Sequence, residues 1–229
     1  MKKLVVFTGA GISAESGIKT FRGSDGLWEN YKITDVATFD AWQRNPAMVL
    51  DFYNQRRSQV MAAAPNEAHK TLVALEEYFD VHIITQNIDD LHERAGSKKV
   101  LHLHGEIMKA RSTVDDRLIY ELTKPEMKLG DTCEKGSQLR PHIVWFGEMV
   151  PKMEMAQSIA QTADVFVVIG TSLQVYPAAG LIDFVMPNVP IFLIDPSDVA
   201  IKKNLNIAIV KENASKGVKI LFEQLMKKV

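Results

Sequence analysis

The chain is expected to be an α/β protein, a doubly wound parallel sheet with a small lobe inserted beside it, and three observations lead there. Short, continuous, β-branched apolar runs recur at Leu4–Phe7, Val81–Ile84, Val100–Leu103, Val165–Ile169 and Ile191–Ile194. Runs of this kind fit parallel strands covered on both faces, which have no solvent side to alternate with. Helical stretches lie between several of them, at Ala47–Ala63, Glu67–Phe79 and Met155–Thr162. That alternation is the pattern of a sheet wrapped by helices. Thirdly, Ala214–Lys228 carries Val218, Leu221, Phe222 and Leu225 on one side of a helical period, a closing amphipathic helix.

Taken in order, two segments interrupt the alternation. Residues 29–66 hold helical patterns and no convincing strand, where a plain mononucleotide-binding unit would run directly to its second strand. Residues 105–145 read as polar and irregular, broken by Pro125, Gly130, Gly136 and Pro141. Both are read as the inserted small lobe, which leaves residues 1–28, 67–104 and 146–229 for the large one. With 229 residues the chain can bury one substantial core, so 1–229 is expected to be a single unit.

A formal net charge of −1 provides no long-range field toward nucleic acid or an anionic membrane, and neither is expected as a partner. Cys133 is the one cysteine, too few for an internal disulfide, which points to a reducing compartment and a cytoplasmic location. Met1-Lys2-Lys3 before Leu4–Phe7 imitates a signal peptide, but the apolar run stops at Thr8-Gly9, and a buried first strand is the better reading. No apolar stretch approaches the roughly 20 residues of a membrane span.

Directly after the first strand, Gly9-Ala10-Gly11-Ile12-Ser13-Ala14 fits the dinucleotide fingerprint G-x-G-x-x-G/A. Gly9 would serve the tight turn, Gly11 the close approach of a pyrophosphate and Ala14 the packing of a helix, whose N-terminus would face the phosphates. The fold is thus Rossmann-like. The acidic residue that a dehydrogenase places about twenty residues on, at the end of a second strand, is missing.

The extended pattern is more specific. Gly9-Ala10-Gly11-Ile12-Ser13-Ala14-Glu15-Ser16-Gly17-Ile18-Lys19-Thr20-Phe21-Arg22-Gly23 is followed by Gln86-Asn87-Ile88-Asp89 and by His102-Leu103-His104-Gly105. Pro141-His142-Ile143-Val144-Trp145-Phe146-Gly147-Glu148 and Gly170-Thr171-Ser172 come later in the same order. These five ordered motifs, spread over nearly the whole chain, resemble the sirtuin family. They are similar to its class III branch, which prefers acidic acyl groups.

The resemblance implies an NAD-consuming protein-lysine deacylase. NAD, consumed as co-substrate, and an acyl-lysine protein or peptide would meet in the cleft between the lobes. The acyl oxygen would attack the nicotinamide ribose, and free lysine, nicotinamide and O-acyl-ADP-ribose would leave. His104 matches the general base, and an imidazole titrating near neutrality suits that work. Asn87 and Asp89 match the pair that holds nicotinamide and the ordered water, although either type is also at home in a turn or helix cap. Gly9, Ala10, Gly11, Ser13, Glu15, Thr20, Phe21, Arg22, Gln86 and Ile88 would complete this side of the NAD site. Gly170, Thr171, Ser172, Asp195, Pro196, Ser197 and Ala214 would hold its far end, with Asp195 standing where the family usually has an Asn-x-Glu segment. Val144, Trp145, Phe146, Gly147 and Glu148 would receive the peptide as an added strand.

Tyr53 and Arg56, at i and i+3 on one helix, match the pair that binds a terminal carboxylate in the class III acyl pocket. A guanidinium fork suits a carboxylate, and acetyl and succinyl or malonyl groups are the expected cargo. Neighbouring Arg57 is read as a solvated charge. His102 is read as structural, and His69, His82 and His92 as surface or capping residues.

The family's two Cys-x-x-Cys pairs are absent, and Cys133, His142 and scattered acids make no credible four-ligand set, so no zinc is expected. Ile107, Val114, Leu118, Ile119, Leu122 and Leu129 are expected to form an apolar cluster in its place. A monomer is expected. The nearest alternative activity is NAD-dependent protein ADP-ribosyl transfer. A hydride-transferring oxidoreductase would leave His104, Asn87 and the Trp145 segment without a use.

Overall fold

A computed structural model describes residues 1–19, 27–28, 31–199 and 207–227. Strand β1 (Lys3–Thr8) is the centre of a six-stranded parallel sheet. It is followed by β2 (Leu27–Trp28) and β3 (Tyr31–Lys32), an antiparallel pair, and then by helices α1 (Ile33–Val36), α2 (Phe39–Arg44), α3 (Pro46–Ala62) and α4 (Glu67–Leu75). β4 (Asp80–Thr85), α5 (Leu91–Ala95) and β5 (Val100–His102) return to the sheet. β6 (Gly105–Ser112), β7 (Ile119–Glu121) and β8 (Leu139–Ile143) form a separate antiparallel sheet in the order β7-β6-β8. The chain closes with α6 (Met153–Gln161), β9 (Val165–Ile169), β10 (Ile191–Ile194), β11 (Ile207–Val210) and α7 (Ala214–Met226).

The large sheet runs β11-β10-β9-β1-β4-β5. The chain winds outward from β1 through β4 to β5, then restarts on the other side of β1 at β9. The expected doubly wound parallel sheet is therefore present. Its switch point lies between the carboxyl ends of β1 and β9, where open sheets of this kind bind ligands. Leu4, Val6, Ile83, Val167 and Ile194 face α4 and α7, whereas Val5, Phe7, Ile84, Phe166 and Leu193 face α6 and the turn of 3-10 helix at Ala178–Phe184. Both faces are dry, which is why the strands read as unbroken apolar runs.

A further hydrophobic cluster joins α1, α2 and α3 to the small sheet through Val36, Trp42, Phe52, Tyr53, Ile107, Ile143 and Trp145. Asn45 caps α3 by accepting the Met48 N–H at 3.1 Å, with Pro46 in the first turn where its missing N–H costs nothing. Asn66 caps α4 through the Ala68 N–H at 2.9 Å, and its amide reaches the Ile12 carbonyl at 2.7 Å, tying the helix start to the loop after β1.

Several expectations change here. The polar stretch 105–145 contains three strands, because β6 carries Ile107 and Ala110 inward and polar residues outward, and Pro141 within β8 hid the pattern. β11 was not expected; it is short, at the sheet edge, and leaves Ile209 60% exposed. The apolar cluster in place of zinc does not form: Ile107 and Leu122 join the α3 cluster, whereas Val114, Ile119 and Leu129 are exposed. That end of the sheet is held by polar contacts instead. The Cys133 thiol donates to Ser112 Oγ at 3.3 Å, and Asp115 takes Lys135 at 2.7 Å and Arg117 at 3.0 Å. Among the described residues no group of three or more His, Cys, Asp or Glu side chains that could hold a metal ion is present.

Arg57 is fully buried rather than solvated. Its Nε donates to the Ile107 carbonyl at 2.8 Å and its Nη1 to Asn54 and to the Pro125 carbonyl, and burial lowers its pKa to about 10. His69 and His92 are buried too: His69 closes the capping box of α4, and His92 Nε2 meets Thr8 Oγ1 at 3.1 Å. His82, half-buried on the interior strand β4, stands 3.0 Å from Asp80.

Candidate active site

At the switch point the loops after β1 and β9 touch. Gly9 N–H donates to the Ile169 carbonyl at 3.0 Å and Gly11 N–H to the Gly170 carbonyl at 2.8 Å. A Cβ on Gly11 would stand 2.5 Å from Gly170 Cα, and one on Gly170 would stand 2.5 Å from the Ile12 nitrogen. What approaches Gly11 is therefore the partner loop, not only a phosphate. Nor does an α-helix begin here. Two short 3-10 turns, Ala10–Ile12 and Ala14–Ser16, follow Gly9 and end at Gly17 with φ +84°. The expected helix N-terminus is thus replaced by a bare backbone ledge. Gly170→Ala, with φ +62° and no lateral room, is expected to cost about 2–4 kcal/mol from strain and overpacking together, readable as a lower urea midpoint.

The turn after β4 closes the site from one side. Asn87 and Asp89 are buried at 8% and 5% exposure. Asn87 Nδ2 donates to the Gly9 carbonyl at 3.2 Å and to Ser13 Oγ at 3.1 Å, and Ser13 Oγ donates to Asp89 Oδ2 at 3.0 Å. Asp89 also accepts the Leu91 N–H at 3.3 Å, so it serves the start of α5 as well as the cleft. Burial pushes its carboxyl pKa up, against these two donors. Gln86 Nε2 reaches across to Thr171 Oγ1 at 3.0 Å and joins the β4 turn to the β9 loop.

His104 follows β5. Its Nδ1 stands 3.0 Å from the Gln86 carbonyl, which can only accept, so Nδ1 carries the proton and Nε2 is left as a bare acceptor on the cleft side. Burial lowers the imidazole pKa, partly offset by that carbonyl bond. A general base works only unprotonated. The acid limb of kcat/KM is therefore expected below the ordinary histidine value of 6.5, with rate undiminished from there to neutrality. An acid limb centred above 6.5 would contradict the assignment.

The opposite wall comes from α3 and the segment after β8. Tyr53 and Arg56 both face the cavity from one side of α3. Trp145 is buried, and its Nε1 donates to the Tyr53 hydroxyl at 3.0 Å. Burial pushes the Tyr53 phenol pKa up, so it stays protonated. Glu148, in the segment expected to receive the peptide, lines the cavity with its carboxylate held internally. Arg140 grips it at 2.7 and 3.0 Å, Arg111 stands at 3.4 Å, and the Trp145 N–H donates to it at 2.8 Å. Arg140 also lies 3.5 Å over the Trp145 ring, so this segment is braced from both ends. Phe146 N–H pairs with the Ala37 carbonyl at 3.0 Å, leaving the Phe146 side chain 45% exposed.

A single cavity of about 500 Å³ collects these walls. Gly9, Ala10, Gly11, Ser13, Glu15, Gln86, Ile88, Gly170, Thr171, Ser172, Asp195, Pro196 and Ala214 line it with the residues described above, as do Val144 and Gly147. Glu15 does so with its carboxylate already taken, 2.8 Å from the Ser215 N–H at the start of α7. Ser197 is exposed and not part of the wall; its N–H bonds Asp195 Oδ1 at 2.9 Å. Thr20, Phe21 and Arg22 lie outside the described residues. The site reading missed Ala14, Ile18, Lys19, Ala37, Ile143, Val150, Val175, Tyr176, Pro177, Ile194 and Asn213 in the lining. Ala14, Ile18, Lys19 and Ile143 stood inside quoted motifs, and Asn213 carried the signal of a cap-type residue just before a helical pattern.

The glycine-packed switch point, the buried Asn87–Ser13–Asp89 chain of hydrogen bonds and His104 share one cavity at the carboxyl ends of the parallel strands, the ligand-binding place of an open α/β sheet. Tyr53 and Arg56 of α3 line the same cavity. The family model for the Sir2 family matches residues 9–177, and the chain belongs to that family. It is 50% identical over 226 residues to an NAD-dependent protein deacylase of Helicobacter pylori, spanning 99% of this chain and 98% of that protein. It is 50% identical over 232 residues to one of Bacteroides thetaiotaomicron, spanning 99% of each. Among solved structures, a Sir2 homologue in complex with NAD superposes with a TM-score of 0.89 at 39% identity, covering 99% of this chain and 90% of that one. A Sir2–p53 peptide–NAD+ complex superposes with a TM-score of 0.81 at 29% identity, covering 98% and 93%.

Proposed function

We infer that the chain is an NAD-dependent protein-lysine deacylase whose acyl pocket accepts groups ending in a carboxylate as well as acetyl. NAD supplies the electrophilic ribose carbon and its leaving group, nicotinamide; the net reaction converts acyl-lysine, NAD and water into lysine, nicotinamide and O-acyl-ADP-ribose. The glycine ledge of Gly9–Gly11 with Gly170 would seat the phosphates. Asn87 and Asp89, locked through Ser13, would orient the nicotinamide end. His104 Nε2 would take a ribose hydroxyl proton. The deacylase activity of the full-length relatives at 50% identity supports this reading, and the placement of His104 in the cavity wall, with Nδ1 held by the Gln86 carbonyl, is the observation that carries it here.

The acyl preference rests on Tyr53 and Arg56. A hydroxyl has one proton and two lone pairs, so Tyr53 can accept from Trp145 and still donate its own proton into the pocket. Arg56, 5% exposed, presents a guanidinium beside it. A carboxylate would meet both donors. The test is nicotinamide release with matched acetyl-, malonyl- and succinyl-lysine peptides, with the peptide mass read at the end. Loss of the acyl mass supports deacylation. Gain of ADP-ribose mass would favour the transferase alternative, and acetyl-only turnover would remove the acidic preference.

A further inference from the structure

The two histidines flanking Leu103 do parallel jobs on the turn that carries Asn87. His104 Nδ1 bonds the Gln86 carbonyl, and His102 Nδ1 bonds the next carbonyl, Asn87, at 2.9 Å. The difference lies on the far side of the rings. His102 Nε2 does not face the cavity but the Glu93 carboxylate of α5, at 2.8 Å, and the ring is 3% exposed.

A carbonyl oxygen and a carboxylate can only accept, so both His102 nitrogens must donate. We propose that His102 is an imidazolium at neutral pH, held by Glu93, that acts as a positioning residue for Asn87 and Asp89. A charge-assisted bond to a backbone carbonyl is about twice as strong as a neutral one and restricts the turn accordingly. The groups facing His102 are three carboxyls and one imidazole that burial keeps neutral. Glu93 and His92 come from α5, Asp89 from the turn and Glu106 from β6. Burial alone would lower its pKa, but the bond and charge of Glu93 outweigh that and raise it. The same cation opposes the upward push of burial on the Asp89 carboxyl, although burial still prevails. Through one side chain, α5 thus braces the Asn87–Asp89 turn and adds a positive charge beside it.

The proposal rests on the deacylase reading, and Glu93→Gln in the full chain tests it with little risk to folding, because Glu93 is 42% exposed. The ring nitrogens of His102, identified by their absence in His102→Gln, are observed by 15N-resolved NMR at pH 7.5. The wild type is expected to show both protonated and Glu93→Gln only one. In the same variant kcat for acyl-peptide is expected to fall about tenfold, the lower end of the value of one charge-assisted hydrogen bond. KM for the peptide should stay within about twofold, and the melting temperature should be little changed. A neutral His102 ring in the wild type would overturn the proposal. So would wild-type kcat in Glu93→Gln, or a loss of kcat that merely follows a loss of thermal stability. A wild-type chain that released no nicotinamide with any acyl-peptide would sink the deacylase reading, while the ring spectrum would still decide the charge on His102.

Discussion

His104→Ala is expected to lose deacylation by roughly 10²-fold or more while NAD affinity changes by only a modest factor. The imidazole is held by the Gln86 carbonyl at 3.0 Å, so its loss removes the bare Nε2 without disturbing the contact between the loops of Gly11 and Gly170. Two measurements separate the outcomes. NAD binding by calorimetry should stay near the wild type, and steady-state turnover of acyl-peptide should collapse. Because a base acting after nicotinamide leaves is not needed for its release, exchange of labelled nicotinamide into NAD should survive better than net deacylation. Turnover close to wild type would take His104 out of the chemistry.

Arg56→Leu is expected to raise KM for succinyl- and malonyl-lysine peptides roughly ten- to a hundredfold, and to leave acetyl-lysine unchanged or improved. A bidentate contact between guanidinium and carboxylate contributes about 1.5–3 kcal/mol, and leucine keeps the bulk while removing every donor. Tyr53→Phe behaves differently, because the Tyr53 hydroxyl also accepts the Trp145 Nε1 proton at 3.0 Å. Its loss leaves a buried indole donor without that acceptor and so weakens every acyl-peptide, acidic or not. Equal losses on acetyl and succinyl substrates in Arg56→Leu would show that Arg56 holds α3 in place rather than reading the acyl group.

The parallel sheet was legible because burial on both faces erases alternation, so Leu4–Phe7 and Val165–Ile169 declare themselves. Asn87, Asp89 and His104 were legible as a spaced motif. What stayed hidden depends on partners far away in the chain. Arg57 looks like any helical arginine until α3 packs on the Ile107 carbonyl, fifty positions on. Nothing in the sequence near Glu148 shows that Arg140 and Arg111 converge on its carboxylate from β8 and β6. His102 is one more strand-end histidine until Glu93 is seen opposite. The reading of Gly11 as room for a close ligand could not foresee that Gly170 also packs against it, while Gly11 still lines the cavity. A single sequence shows that a side chain is missing, not what comes close because of it.

The bond from Glu15 to the Ser215 N–H spans 200 positions and joins the ledge after β1 to the first turn of α7. During synthesis at about 5–20 residues per second, that ledge emerges ten seconds or more before its last support. Until then Glu15 lacks its partner, and Ala214 is missing from the cavity wall. Ligand capture therefore cannot guide the early stages of folding. The parallel ladders and their buried faces form without help from the finished cavity, which is completed only when α7 docks.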